Sequence, residues 1–313
     1  MPRPIIIDSD PGQDDAVAIL LALGSPEDFD ILGITAVAGN VPLSLTEVNS
    51  RKIVELSGRT DVDVFAGCDR PMRKDLVTAE YVHGPTGLDG ADLPEPSHPL
   101  QPQHAVDFII EALRTSDRPV TLCVLGPLTN IGMALEREPA IAASIDQIVL
   151  MGGGLFEGGN TTPAAEFNIY VDPHAASVVF TSGIPITMMP LDVTHKALTT
   201  PSRIEAFRNL GTRQGDAVAG LIDFFDRYDM ERYGTEGAPL HDPCVLAYLI
   251  DPTLFTGRDC HVEIVVDGPA EGMTMIDWWS MTGNEPNATV MGDIDADRFF
   301  ALLVERIGAL RLN

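Results

Sequence analysis

Short apolar runs rich in β-branched residues alternate along the chain with longer segments of helical periodicity. Six runs have the length and composition of strands: Ile5–Ile7, Ile31–Val37, Val62–Phe65, Val120–Val124, Ile148–Met151 and Pro185–Met188. They lack strict alternation of apolar and polar positions, which is typical of strands covered on both faces. Five predicted helices lie between them: Ala16–Leu23, Leu43–Leu56, His104–Leu113, Pro127–Glu136 and Pro173–Thr181. This alternation predicts an open, mostly parallel, doubly wound α/β sheet.

The C-terminal third of the chain has a different pattern. Pro201–Tyr233 is strongly helical, and Val262–Val266 with Thr274–Trp279 is predicted to form a late pair of strands. The chain contains no internal repeat and no low-complexity linker. We therefore predict one domain over residues 1–313, with helical elaboration near residues 200–240.

Polar or glycine-rich segments follow five of the predicted strands. They are DSDPGQDD after the first strand, then AGN, LGPLTN, MGGG and LDVTH. In an open parallel sheet, ligands bind beyond the carboxyl ends of the strands. These segments are therefore expected to meet at one edge of the sheet and to form a site there.

The first of these segments places four carboxylates, those of Asp8, Asp10, Asp14 and Asp15, within eight residues. Asp8 and Asp10 point to the same side if the extended geometry persists, and Asp14 and Asp15 fall in the first turn of a helix, where one Asp could simply cap it. Crowded carboxylates repel each other unless something compensates their charge. A hard divalent cation such as Ca²⁺ or Mg²⁺ fits oxygen ligands, whereas zinc would require His or Cys.

Composition narrows the possible partners. The 313 residues include 20 basic and 46 acidic side chains, for a net charge of −26. This charge argues against binding to nucleic acid or to anionic lipid. The four cysteines show no metal-ligand spacing, and no apolar run approaches the length of a membrane span. A cytoplasmic location is expected.

Two further segments carry candidate chemistry, and each has a purely structural alternative. His241-Asp242-Pro243 precedes an apolar helix, so Asp242 could be the N-cap with Pro243 in the first turn. Asn160, Glu166 and Asn168 could bind vicinal hydroxyl groups, or could belong to a polar loop. The residues themselves leave both alternatives open.

Six segments together resemble a known family. DSDPGQDDAVAIL, GPLTN, VLMGGG, AEFN…DP.AA, LD.TH and HDP occur here in the order found in nucleoside hydrolases of the inosine–uridine-preferring type, from about residue 4 to the C-terminus. The resemblance implies an α/β enzyme that uses Ca²⁺ to hydrolyse the N-glycosidic bond of purine or pyrimidine ribonucleosides, giving ribose and free base. It also implies a homodimer or homotetramer.

The resemblance further implies roles for particular residues. The calcium ligands would be the carboxylates of Asp10, Asp15 and Asp242 and the carbonyl of Leu125. Asp10 would also act as the general base on the metal-bound water, and His241 as the acid for the leaving base, with an ordinary imidazole pKa of about 6.5. The substrate contacts would be Asp14, Asn40, His83, Asn160, Glu166, Phe167, Asn168 and Tyr228.

Two other classes of protein compete with this interpretation. A metal-dependent phosphohydrolase also carries Asp-x-Asp after its first strand. That class has Thr or Val two residues beyond the second Asp, where this chain has Gly12. A non-catalytic, calcium-dependent binder of nucleosides or sugars would not need both Asp10 and His241. Both features favour the hydrolase.

Overall fold

The computed structural model describes residues 1–233 and 236–310, without the side chains of residues 226–233. Its strands are β1 (Arg3–Ser9), β2 (Phe29–Ala36), β3 (Val64–Ala66), β4 (Leu100–Gln101), β5 (Val120–Val124), β6 (Ile145–Met151), β7 (Ile186–Met189), β8 (Phe255–Cys260), β9 (Val262–Ile264), β10 (Thr274–Ile276) and β11 (Ala288–Ile294). Its α-helices are α1 (Gln13–Leu23), α2 (Leu43–Ser57), α3 (Glu80–His83), α4 (Ala105–Thr115), α5 (Thr129–Arg137), α6 (Phe167–Val171), α7 (Pro173–Phe180), α8 (Leu191–Thr194), α9 (Pro201–Arg208), α10 (Arg213–Tyr233), α11 (Pro243–Ile250) and α12 (Ala296–Gly308).

Nine of these strands form one sheet in the order β4-β3-β2-β1-β5-β6-β7-β11-β8. All neighbours in it are parallel except β11 and β8, which are antiparallel. The predicted open, mostly parallel, doubly wound sheet is confirmed. The strand order reverses between β1 and β5, and a crevice forms at such a switch point.

Strand β1 separates two hydrophobic cores. Ile5 and Ile7 belong to the core on one face of the sheet, whereas Ile6 belongs to the core on the other face. All three side chains are fully buried. Helix α1 is buried along its whole length. The segment that joins β1 to α1 is therefore anchored at each end by a buried element.

Most predicted elements lie within a few residues of their observed bounds, and β9 pairs with β10 as predicted. The predicted helical region over residues 201–233 consists of two helices, α9 and α10, separated by residues 209–212. The sequence pattern missed β8, β11 and α12. A single domain over residues 1–313 stays a prediction. None of the helices that the structure describes is both long and apolar enough to cross a bilayer.

Candidate active site

A pocket opens at the carboxyl ends of the central strands, next to the switch point. It contains about 660 Å³ of space free of protein atoms, including its open mouth. Ten of the predicted site residues line it: Asp14, Asn40, His83, Leu125, Asn160, Glu166, Phe167, Asn168, His241 and Asp242. Asp10 and Asp15 are buried and do not line its wall.

Asp15 lies in the first turn of α1 and has a structural role there. Its carboxylate accepts hydrogen bonds from the Gly12 N–H at 2.9 Å and from the Ser9 hydroxyl at 2.6 Å. The first of these bonds closes the N-terminus of the helix. The capping alternative is therefore correct for Asp15. Capping occupies only part of a carboxylate's acceptor capacity, so it does not prevent Asp15 from also binding a cation.

Asp10 is enclosed by backbone on both sides. Its Oδ2 accepts the Asn40 N–H at 2.7 Å, whereas its Oδ1 is buried without a hydrogen-bond partner among the described residues. A Cβ atom on Gly39 would overlap Oδ2, and one on Gly126 would overlap Oδ1. The glycines of AGN and LGPLTN therefore let two loops approach this carboxylate closely.

Asp8 is separated from the other three carboxylates of its segment. Its Oδ1 accepts hydrogen bonds from the Thr35 hydroxyl at 2.5 Å and the Asn130 amide at 2.7 Å, and burial raises its pKa to about 7. Since β1 ends at Ser9, the extended geometry that would align Asp8 with Asp10 does not persist. Asp8 connects neighbouring elements and does not line the pocket.

Asp242 completes an acidic cluster with residues far away in sequence. One ligand oxygen from each of Asp14, Asp15 and Asp242 lies within 4.8 Å of the others. Asp242 occupies the N-cap position of α11, with Pro243 next, but its side chain makes no capping hydrogen bond. The structural alternative is therefore correct about the position and wrong about the side chain.

The electrostatics of this cluster and of Asp10, which interacts with Asp14 and Asp15, favour a cation. Burial and the neighbouring carboxylates raise the pKa values of Asp10 and Asp242 well above their usual range, and burial also raises that of Asp15. None of these three forms a salt bridge with a Lys or Arg in the described part of the chain. A divalent cation would compensate the charge, and the donors are the oxygen atoms that Ca²⁺ or Mg²⁺ prefers. The residues present fit such an ion.

Another part of the pocket lining, which we call the amide wall, consists of Asn160, Glu166 and Asn168. The Asn168 amide donates to the carbonyl of Leu125 at 2.7 Å, and Asn160 Oδ1 accepts the Phe167 N–H at 2.9 Å. Both carboxylate oxygens of Glu166 accept backbone N–H groups at the start of α6. Burial raises the pKa of Glu166 to about 7. These side chains are thus held in place before any ligand binds.

His241 is buried beside Asp242. Its Nδ1 lies 2.7 Å from the hydroxyl of Thr194. Burial, with further contributions from His195 and His83, lowers its pKa well below the usual imidazole value. The expectation of an ordinary imidazole pKa was therefore wrong, because it ignored desolvation. A neutral His241 still offers one N–H to the pocket when the Thr194 hydroxyl donates to Nδ1.

The residue pattern missed several residues of the pocket. His195 lines it, with its ring centroid 5.8 Å from that of His241 and its Nδ1 3.1 Å from Glu157 Oε2. Phe225 packs edge-on against His241 at 6.4 Å. The LDVTH segment was a usable signal for His195, whereas a Phe within a helix gives none. Tyr228 was predicted to contact the substrate, but its side chain lies outside the described part of the structure.

Known proteins match this chain over almost its whole length. The family model for inosine-uridine preferring nucleoside hydrolases matches residues 5–301. The pyrimidine-specific ribonucleoside hydrolase RihA of Enterobacter sp. strain 638 is 48% identical over 315 residues, covering 100% of both chains. RihA of Photobacterium profundum is 48% identical over 98% of this chain and 99% of its own.

A solved structure matches over the same extent. It is the purine-preferring ribonucleoside hydrolase from Gardnerella vaginalis, with a TM-score of 0.92 at 34% identity. The match covers 98% of this chain and 99% of that one. Neither the phosphohydrolase nor the non-catalytic binder is found among these relatives.

Proposed function

We propose that this chain, which belongs to the inosine-uridine preferring nucleoside hydrolase family, prefers pyrimidine ribonucleosides and depends on calcium. Like its relatives, it is an N-glycosyl hydrolase of ribonucleosides. One observation carries the proposal. The buried carboxylates of Asp10, Asp15 and Asp242, which form no salt bridge with a Lys or Arg in the described part of the chain, lie in or beside the pocket that the buried imidazole of His241 lines. Such an arrangement costs energy, and binding a cation and a substrate there would repay it.

The calcium ligands would be the carboxylates of Asp10, Asp15 and Asp242 with the carbonyl oxygen of Leu125. Two observations support this set: Oδ1 of Asp10 has no hydrogen-bond partner among the described residues, and the carboxylate of Asp242 makes no capping hydrogen bond to α11. The Leu125 carbonyl accepts one hydrogen bond from Asn168 and keeps a second lone pair. Bound calcium would offset the negative charge and lower the pKa of a water ligand.

Asp10 would act as the general base on the attacking water. Its Oδ2 is held by the Asn40 N–H, whereas its Oδ1 has no partner among the described residues, so Oδ1 would have one lone pair for the cation and one for a proton. Burial strengthens the interaction of this carboxylate with any proton donor. Nearby carboxylates also stabilise the positive charge that develops on the sugar as the glycosidic bond breaks.

Ribose would lie between the acidic cluster and the amide wall. Asp14, Glu166 and Asn168 would hold its hydroxyl groups together with Asn160, and Asn40 would line the same space. Phe167, buried at the edge of this wall, would pack near the 5′ end. The hydrogen bonds that already fix Asn160, Glu166 and Asn168 reduce the entropy lost when substrate binds.

His241 would donate to the leaving base from Nε2. The base acquires negative charge as the glycosidic bond breaks, so this hydrogen bond from the neutral ring strengthens in the transition state while the proton stays on Nε2. The pyrimidine preference draws on the relatives named pyrimidine-specific, at 48% identity over the whole chain. The test is ribose release from uridine, cytidine, inosine and adenosine. Faster release from the two purine nucleosides would contradict the preference.

We expect removal of calcium to abolish ribose release and to lower the melting temperature. Without the ion, the buried carboxylates repel each other, and a ligand at about 1,000 times its Kd stabilises a fold by roughly 4 kcal/mol. The measurement is ribose release and thermal unfolding after chelation, and again after calcium is restored. Asp242→Asn should weaken the response to calcium. Full activity in the chelated protein would contradict the calcium requirement.

We expect 2′-deoxyuridine to be a far poorer substrate than uridine. Groups built to bind a hydroxyl are left unpaired when it is missing, which costs about 10⁴-fold in kcat/KM. The comparison uses purified protein with saturating calcium, and 5′-deoxyuridine serves as a control that keeps both ring hydroxyls. Similar kcat/KM values for uridine and its 2′-deoxy analogue would remove the proposed ribose contacts.

A further inference from the structure

Gln13, the residue between Gly12 and the acidic pair, makes three hydrogen bonds to one distant segment. Its Nε2 donates to the carbonyl of His83 at 2.9 Å and to that of Asp89 at 3.1 Å. Its Oε1 lies 2.7 Å from Nδ1 of the His83 ring. Gln13 is buried, being only 1% exposed. One side chain at the start of α1 therefore holds both the backbone and the ring of His83.

These contacts determine which nitrogen of His83 carries the proton. The amide nitrogen of Gln13 must face the two carbonyl oxygens, because an oxygen there would meet only acceptors. Its Oε1 therefore faces the ring and can only accept, so Nδ1 of His83 is the donor. Burial lowers the pKa of His83 to about 3, so the ring is neutral and Nε2 keeps a lone pair.

The second ring nitrogen of His83 is open to the pocket. His83 lines the pocket, and no group among the described residues hydrogen-bonds to Nε2, which is not sealed from solvent either. The ring is stacked on Phe225, with centroids 5.5 Å apart, and Phe225 contacts His241 in turn. His83 thus offers an acceptor to the pocket that His241 also lines, and both rings contact Phe225.

We propose that Gln13 is a positioning residue, which fixes His83 with its proton on Nδ1 so that Nε2 accepts a hydrogen bond from a donor group of the nucleoside. The donor is either an N–H of the base or the 5′-hydroxyl. This inference rests on the proposed function for the identity of the ligand, but the tautomer of His83 follows from the hydrogen bonds of Gln13 alone.

The tautomer of His83 would complement the hydrogen-bonding character of His241. His241 would offer a donor from Nε2, and His83 offers an acceptor from the corresponding atom. Two neighbouring imidazoles of opposite hydrogen-bonding character favour one orientation of a ligand over its reverse. If His83 instead carried its proton on Nε2, both rings would offer donors, and the nucleoside group would face an unfavourable contact.

The direct test is the tautomer of His83, read from the imidazole nitrogen signals in long-range ¹H–¹⁵N NMR spectra of ¹⁵N-histidine-labelled protein. His83→Asn identifies the signal by its loss. We expect protonation on Nδ1 in the wild type. In Gln13→Met we expect a shift toward the Nε2–H form, which is the more stable one in free histidine. Protonation on Nε2 in the wild type would overturn the inference.

Asn49 provides a matched control. Its amide donates to the carbonyls of Pro11 and Thr86 at 3.0 and 2.8 Å, so it ties the same two segments together without touching the His83 ring. Asn49→Ala should loosen the segment but leave the tautomer unchanged. If Asn49→Ala shifted the tautomer as much as Gln13→Met, the effect would come from general loosening, and the assigned role of Gln13 would be wrong.

Kinetics then locate the donor. Losing one hydrogen bond lowers kcat/KM by roughly tenfold, so the wild type should discriminate by that factor against either 5′-deoxyuridine or 3-methyluridine. Gln13→Met should lose this discrimination while keeping its thermal stabilisation by calcium. Loss with the first analogue places the donor on the sugar, and loss with the second places it on the base. Unchanged discrimination with both would overturn the substrate contact. Absence of turnover in the wild type would instead count against the proposed function.

Discussion

Asp10→Asn is expected to reduce kcat by about 10²- to 10⁴-fold, the range typical of losing a general base. The side chain has the same size, and its amide oxygen can take the place of the carboxylate oxygen that accepts the Asn40 N–H. The close packing against Gly39 and Gly126 is therefore preserved. What the variant loses is the unpaired, buried carboxylate oxygen that would take a proton from water. The measurement is ribose release from uridine at saturating calcium.

Asp8→Asn is the matched control for this variant. It makes the same chemical change two residues earlier, and its Oδ1 can keep both hydrogen bonds, from Thr35 and Asn130. We expect this variant to keep most of its turnover. Calcium titration monitored by thermal unfolding separates loss of the base from loss of the ion in Asp10→Asn. Comparable activity of Asp10→Asn and the wild type would exclude Asp10 as the base.

The central sheet was predictable because its strands are strongly apolar. Strand β1 is buried on both faces, so its isoleucines form an unbroken run in the sequence. Strand β8 lies at the edge of the sheet and has four consecutive exposed residues, and β11 contains Gly292 and Asp293. Their pairing with each other and with β7 depends on tertiary contacts, which an apolar pattern does not encode.

The candidate site was predictable only in part, for a similar reason. Asp10, Asp15 and Asp242 belong to dense polar motifs beside helix starts, and such a density has few structural explanations. Thr194 and Phe225 are ordinary residues whose importance comes from contacts with His241. Desolvation of His241 is likewise a property of the folded pocket, so its lowered pKa is invisible in the sequence.

His241→Ala is expected to separate substrates by their leaving groups. For uridine or inosine, loss of the hydrogen-bond donor to the departing base should reduce kcat by about 10²- to 10³-fold. For 4-nitrophenyl riboside the loss should stay below roughly tenfold, because nitrophenolate is a stable anion that needs no proton to leave. Both substrates carry the same ribose, so they share every contact with the acidic cluster and the amide wall. The measurement is kcat for each substrate in the wild type and the variant.

Thr194→Val tests the direction of the hydrogen bond between the Thr194 hydroxyl and Nδ1 of His241. It removes the hydroxyl that lies 2.7 Å from Nδ1 while keeping the shape of the side chain and the His241 ring itself. If the Thr194 hydroxyl donates to Nδ1 and so keeps the proton on Nε2, this variant should lose part of the same activity on uridine and little on the nitrophenyl riboside. Equal losses on the two substrates in His241→Ala would show that His241 supports ribose binding or pocket structure, and would remove it from the leaving-group role.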